Sequence, residues 1–281
     1  MEQGIGRGLE PITTGADLTA DSGGDWHTSY AGVPHYITNQ MRSLYLRNYE
    51  YNVFDLRQED RAHIYAFSDK LTGSIVFGQS PKELIKEYTY FAGRMKPLPD
   101  WLTQGAVVGM QGGTQKVYDI FKQLRRRDTE LSGFWLQDWV GQRKTSFGKQ
   151  LWWNWELDKD RYPEWGKMVS FLREKGIRVL SYINPFLADV SGKDNARQNL
   201  FRIAKEKGYL VQNEKGEPYM LQNTSFSSGL LDLTNPGARK WIKGIIKKNL
   251  IASGVGGWMA DFGEALPFDA KLYGDVKASS Y

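Results

Sequence analysis

Cysteine is absent from this chain of 281 residues, which excludes disulfides, Cys-ligated zinc and thiol catalysis. Histidine is scarce: His27, His35 and His63 show no metal-ligand spacing, so neither a metal site nor a metal-dependent hydrolase is expected. No segment reaches the roughly eighteen consecutive apolar residues of a membrane helix. The start Met1-Glu2-Gln3-Gly4 lacks a charged-then-apolar export signal. The expectation is a soluble, cytoplasmic protein with no membrane partner. A basic stripe is also missing. Net charge is +5, but Arg125-Arg126-Arg127 and Lys247-Lys248 fall at expected helix ends, where cations complement the helix dipole, so no nucleic-acid partner is expected.

What the chain has is a globular composition, 41% hydrophobic and 25% charged, and many aromatics. There are ten Trp, many in polar or Gly-flanked segments where rings line a binding surface as readily as they fill a core. Sugar sites often use such rings.

Periodicity divides the chain. Residues 1–40 read as irregular loops rich in Gly, Thr, Asp and Ser. Short alternating runs at 43–47, 52–57, 61–67 and 74–78, separated by polar turns, predict antiparallel hairpins. Ser80-Pro81-Lys82-Glu83 is an N-cap, a first-turn proline and a capping-box glutamate, opening a helix with Leu84, Ile85, Tyr88 and Phe91 on one face. Lys96-Pro97-Leu98-Pro99 cannot continue a helix and marks a boundary near residue 98.

Beyond it strands and helices alternate. Strands are expected at 106–111, 133–140, 177–183 and 257–261. Helical faces are Val117, Ile120, Phe121, Leu124; then Trp165, Met168, Val169, Leu172; then Ile242, Ile245, Ile246, Leu250 after the Asn235-Pro236 start. Residues 186–228 read as an insertion with a helix and a hairpin. Repeated βα units imply a parallel sheet or barrel. Four units are half of a closed barrel, so the expectation is a chain truncated after the fourth strand.

In such folds active sites gather at the C-terminal ends of strands, here Gln111, Gln137, Asp138, Asn184, Asp261 and Glu264. An isolated polar residue there is more simply a partner for loop backbone, but four strands contribute at once. Gly256-Gly257-Trp258-Met259-Ala260-Asp261-Phe262-Gly263-Glu264 puts a carboxylate where an apolar strand enters a turn.

That segment resembles the nucleophile motif of glycoside hydrolase family 31, usually Trp-x-Asp-Met-Asn-Glu, in the form of the sulfoquinovosidase branch. The resemblance extends to Gly24-Asp25-Trp26, Gln137-Asp138-Trp139 and Ser181-Tyr182-Ile183-Asn184-Pro185. It implies an N-terminal antiparallel β-sandwich remnant over residues 1–98 and the first half of a (β/α)8 barrel over 99–281. It implies a retaining α-glycosidase that needs no cofactor and acts on a carbohydrate, in which Asp261 is the nucleophile, Asp138 holds a sugar hydroxyl and Glu264 supports. It also implies that Gln111, Gln137 and Trp153 contact the substrate, sulfonated in that branch. Gln150 stands where the branch has an arginine, and a guanidinium binds an anionic oxygen cluster far better than a carboxamide. Lys149 or Arg143 then supplies the charge, or the substrate is a neutral α-glucoside.

A retaining mechanism needs a second carboxyl, and nothing after Asp261 fits: Glu264 and Asp269 share its loop and Asp275 follows too soon. The acid/base is therefore expected to lie outside this sequence. A non-catalytic carbohydrate-binding relative is the alternative, opposed by the presence of both Asp261 and Asp138. Asp261-Phe262-Gly263 also spells the kinase magnesium triplet, but no histidine is followed by Arg-Asp. Gly4, Gly6 and Gly8 lack the apolar strand that a dinucleotide site requires. Oligomeric state is left open.

Overall fold

In the computed structural model, the described residues are 33–48, 50, 52–146, 148–223, 225–263, 266, 267 and 269–278. Gly4, Gly6, Gly8, the Gly24-Asp25-Trp26 motif and Glu264 lie outside them. The alternating runs pair as expected, with trimmed ends. β1 (His35–Ile37), which falls within the stretch read as irregular, pairs antiparallel with β2 (Arg42–Leu46), and β2 with β5 (Gly73–Phe77). β3 (Asn52–Asp55) and β4 (His63–Ala66) form a separate antiparallel pair. β5 covers Ser74 and Val76 but exposes Ile75 and Phe77, the alternation of a strand packed on one face.

α1 (Pro81–Ala92) begins as its sequence dictates. Ser80 Oγ accepts from Glu83 N at 3.3 Å. The Glu83 carboxylate reaches back one residue further than a capping box requires, accepting from Gln79 N at 2.6 Å. Leu84 is fully buried and Tyr88 stacks on His35, centroids 4.2 Å apart. Ile85 and Phe91, expected on the same face, are exposed.

The βα units follow: β6 (Ala106–Met110), α2 (Thr114–Arg125), β7 (Leu131–Leu136), the hairpin β8 (Gln142–Thr145) and β9 (Gly148–Leu151), α3 (Trp165–Glu174) and β10 (Arg178–Ile183). β7 stops earlier than its apolar run suggests. Gln137–Val140 turns as a 3-10 helix that ends at Gly141, φ 79°, and swings Asp138 and Trp139 away from the strand direction. The insertion holds β11 (Phe186–Ala188), α4 (Leu200–Glu206), β12 (Met220–Asn223) and β13 (Phe226–Leu230), paired antiparallel in the order β11-β13-β12. α5 (Pro236–Ile245) is capped by Asn235 Oδ1, which accepts from Gly237 N at 2.8 Å, and continues as one π turn before β14 (Gly257–Ala260). β15 (Lys271–Leu272) and β16 (Val276–Lys277) close the described chain.

β6, β7, β10 and β14 make one parallel sheet in chain order, the succession of adjacent strands in a (β/α)8 barrel. One face carries Phe134, Leu136, Val179 and Ile183, buried in one apolar cluster with Val117 of α2 and Met168, Val169 and Leu172 of α3. Each fully buried side chain of this size contributes about 1.5–3 kcal/mol. The outer strands differ, with Val107, Trp258 and Met259 exposed. The opposite face of the sheet carries the site.

Candidate functional site

Side chains two residues apart share a strand face, and paired residues of neighbouring strands share it too. Gly109 pairs with Trp135, Trp135 with Leu180, and Tyr182 with Met259. Two residues beyond Gly109, Trp135 and Met259 stand Gln111, Gln137 and Asp261, so the three lie on one face at the strand ends, next to Tyr182. They border a cavity of about 300 Å³ with Gln150, Trp153 and Lys149, and with Phe226 and Asn223 from the inserted sheet.

Asp261 follows β14, and its backbone N–H still bonds to Ile183 O at 3.0 Å, continuing the ladder. Tyr182 OH donates to Asp261 Oδ2 at 2.8 Å. Among the described residues no protein donor reaches Oδ1. The chain then turns sharply: Phe262 has φ 56° and Gly263 φ 121°. A bulky residue at positive φ is strained by about 1–3 kcal/mol and persists only when its surroundings hold it. Here the Phe262 ring packs against Trp153 and Phe186, centroids 5.7 and 6.1 Å away.

Gln111 Nε2 donates to Gln137 Oε1 at 2.7 Å, and Gln142 Nε2 donates to Gln111 Oε1. Arg161 donates to Gln142 Oε1 at 3.0 Å. Asp138 does not line the cavity. It is fully buried, with Oδ1 accepting from Tyr162 OH and Oδ2 from Gly112 N at 3.0 Å and Arg161 Nε at 2.8 Å. In this structure it ties the turn after β6 to Arg161, away from the cavity where a sugar hydroxyl was expected to meet it. Burial, then the neighbouring Asp138 charge, pushes the Tyr162 hydroxyl far above its usual pKa, so it stays a donor.

Arg143 also sits apart from the cavity lining. Its guanidinium lies between Trp152 and Phe226, 4.1 and 3.9 Å from the ring centroids, and donates to Leu151 O at 3.3 Å. Burial lowers its pKa to about 10, still a cation at neutral pH. Phe226, on which it stacks, lines the cavity, so Arg143 stands one ring behind the cavity wall. Gln150 Oε1 accepts from Ser225 Oγ at 2.8 Å, joining β9 to the turn between β12 and β13. Trp153 lines the cavity, is 8% exposed and stacks on Phe186. Lys149, exposed at the start of β9, is the one cationic side chain lining the cavity among the described residues.

Tyr182, Gln142, Arg161 and Phe226 were not singled out as site residues from the sequence. Tyr182 carried a signal, lying within a quoted strand-end motif two residues before Asn184. The others gave none: Gln142 comes in on the β8–β9 hairpin, Arg161 on the loop before α3, and Phe226 on the inserted sheet. Among the described residues no three His, Asp or Glu side chains come together as a metal site, and no helix is long and apolar enough to cross a membrane.

Residues 98–280 match the TIM-barrel domain of glycosyl hydrolases family 31. Over 278 residues the chain is 36% identical to a sulfoquinovosidase of Escherichia coli (strain K12), covering 99% of this chain and 40% of that protein. It is 35% identical to a sulfoquinovosidase of Agrobacterium fabrum, covering 99% of this chain and 41% of that protein. Among solved structures, a GH31 family sulfoquinovosidase from E. rectale in complex with an aza-sugar inhibitor superposes with TM-score 0.85 at 33% identity, covering 98% of this chain and 41% of that one. The chain thus spans about 40% of the length of the curated relatives it matches.

Proposed function

Because the chain belongs to glycoside hydrolase family 31, we propose that its protein is a retaining α-glycosidase in which Asp261 is the nucleophile, the N-terminal 98 residues being part of a sandwich domain and the rest the first half of the catalytic barrel. The observation that carries this reading is the Asp261 carboxylate at the cavity, one oxygen held by Tyr182 at 2.8 Å and the other without a protein donor among the described residues. An oxygen so held attacks the anomeric carbon as the bond to the leaving oxygen breaks, giving a glycosyl ester that water then hydrolyses with retention. The leaving oxygen must take a proton from a carboxylic acid about 5–5.5 Å from the nucleophile. No second carboxylate lines the cavity among the described residues, so the test uses the full-length protein.

The substrate proposed is a sulfoquinovoside, supported by the sulfoquinovosidases among the relatives, by Lys149 and by the amides of Gln111, Gln137 and Gln150 at the cavity. Gln150, where the branch's arginine is expected, favours a second reading, a neutral α-glucoside. Comparing turnover of a sulfonated and a plain aryl α-glucoside decides between them. Asp261→Asn is expected to abolish covalent labelling by a fluorinated or epoxide sugar inactivator; labelling that persists removes Asp261 from the nucleophile role.

A further inference from the structure

A chain of hydrogen bonds runs from a buried carboxylate to the cavity, and the chemistry of its members sets its direction. Asp138 accepts from Arg161 Nε at 2.8 Å, Arg161 donates to Gln142 Oε1 at 3.0 Å, Gln142 Nε2 donates to Gln111 Oε1, and Gln111 Nε2 donates to Gln137 Oε1 at 2.7 Å. A guanidinium has donors and no acceptor, so the Gln142 atom that faces it must be the carbonyl oxygen. Only the amide nitrogen of Gln142 is then left for Gln111, which must answer with its own oxygen. The same choice passes on to Gln137. Arg161 is anchored at the start, because Asp138 is fully buried and its other oxygen is occupied by the Tyr162 hydroxyl.

We propose that Arg161 and Gln142 are positioning residues that fix the polarity of this chain, so that Gln137 presents amide N–H donors and not its carbonyl to the substrate. Gln137 Nε2 has no protein partner among the described residues, and the residue borders the cavity. Neither cavity amide has to turn over when a ligand arrives, which removes an ordering cost from binding. The group recognised is an oxygen acceptor, whether a sulfonate oxygen or the lone pair of a hydroxyl. A group that can only donate, such as the ammonium of an amino sugar, is rejected there. The hydrogen-bond order stands without the glycosidase reading; its effect on turnover rests on that reading.

Two substitutions in the full-length protein test this. Gln142→Glu keeps an acceptor for Arg161, and the adjacent guanidinium holds the new carboxylate ionised, so it has no proton to donate to Gln111. Gln111 must then turn over, and Gln137 after it, presenting its carbonyl to the cavity. Gln142→Met removes the link at similar size without imposing the reverse order. Neutron diffraction on the wild type and Gln142→Glu reads the amide orientations independently of catalysis: both amides are expected to be reversed in the variant, and unreversed amides would overturn the proposal. Kinetics with an α-glycoside that the wild type hydrolyses are expected to show KM raised about ten- to hundred-fold in Gln142→Glu, with a smaller change in kcat. Gln142→Met should raise KM less. Equal effects from the two variants, or a loss confined to kcat, would also overturn it. A wild type that hydrolyses no α-glycoside counts against the proposed function, while the neutron result still decides the order of the amides.

Discussion

The Tyr182 hydroxyl donates to Asp261 Oδ2 at 2.8 Å, so the carboxylate at the end of β14 is aimed by the neighbouring strand β10. Tyr182 is fixed in its turn. The residue is 2% exposed, its carbonyl accepts from Trp139 Nε1 at 2.8 Å, and Asn184 Nδ2 donates to its hydroxyl at 3.3 Å. A buried aromatic with both ends bonded loses little further entropy when it holds a neighbouring carboxylate.

Tyr182→Phe keeps the ring and removes that bond. Hydrogen bonds to charged groups contribute about 1.5–3 kcal/mol. If the full-length protein has the proposed glycosidase activity, its kcat/KM is expected to fall roughly ten- to hundred-fold. Thermal stability should fall by about 1.5–3 kcal/mol as well, because the bond is present in the folded protein before any ligand binds. Steady-state kinetics beside a melting curve separate the two, and a wild-type rate would deny Tyr182 any part in aiming Asp261.

Phe262 sets a local strain, φ 56°, against ring packing on Trp153 and Phe186. Phe262→Ala loses the packing and keeps the strained backbone, whereas Phe262→Gly loses the packing and relieves the strain. The glycine variant is therefore expected to be the more stable by about 1 kcal/mol, the reverse of the usual Ala-over-Gly order. Calorimetric Tm values check the sign.

The strand-end residues Gln111, Gln137 and Asp261 were legible because a period of two and a parallel register leave no freedom once the strands are recognised. Tyr182 escaped notice because its partner is 79 positions away. Asp138 followed the motif, yet the 3-10 turn Gln137–Val140 carries its carboxylate into the interior. That change of direction is set by tertiary contacts with Gly112, Arg161 and Tyr162, which no local pattern encodes. Arg143 reads as a substrate cation in the sequence, but two aromatic rings from separate segments capture it. Of the face expected on α1, Ile85 and Phe91 are exposed because helical periodicity says which residues align, and the packing partners decide how much of that stripe is covered.

Asp158 links the loop after β9 to the loop after β11. It is largely buried and its carboxylate lies 3.0 Å from Lys193 Nζ. Burial alone would raise its pKa, but backbone donation from Arg161 and the bond and charge of Lys193 outweigh this and hold it below the ordinary 3.8. A depressed carboxylate contributes stability that is fully present above its unfolded pKa and is lost as pH falls through the folded one. Stability from this pair should hold above about pH 4 and decline below it. Asp158→Asn should be less stable at pH 7 and show a flatter decline between pH 4 and 2 in denaturant titrations. Parallel declines would exclude Asp158 as a source of acid sensitivity.

Lys149 tests the nature of the substrate with one charge. It stands on β9 beside Gln150, exposed, with no carboxylate paired to it among the described residues. Attraction between solvent-exposed charges is worth about 0.2–1 kcal/mol and is weakened by salt. If the substrate is anionic, Lys149→Met should raise KM for a sulfonated aryl α-glucoside by roughly two- to fivefold at low salt and by less at high salt. The plain aryl α-glucoside should be nearly unaffected. Gln150→Arg should act in the opposite direction and by more, because a guanidinium can engage two sulfonate oxygens at once, provided it gives up the bond that Gln150 makes with Ser225. Equal responses of the two substrates to Lys149→Met, with no gain from Gln150→Arg, would leave the neutral sugar as the natural substrate, because an uncharged hexoside presents nothing at that corner for a cation to attract.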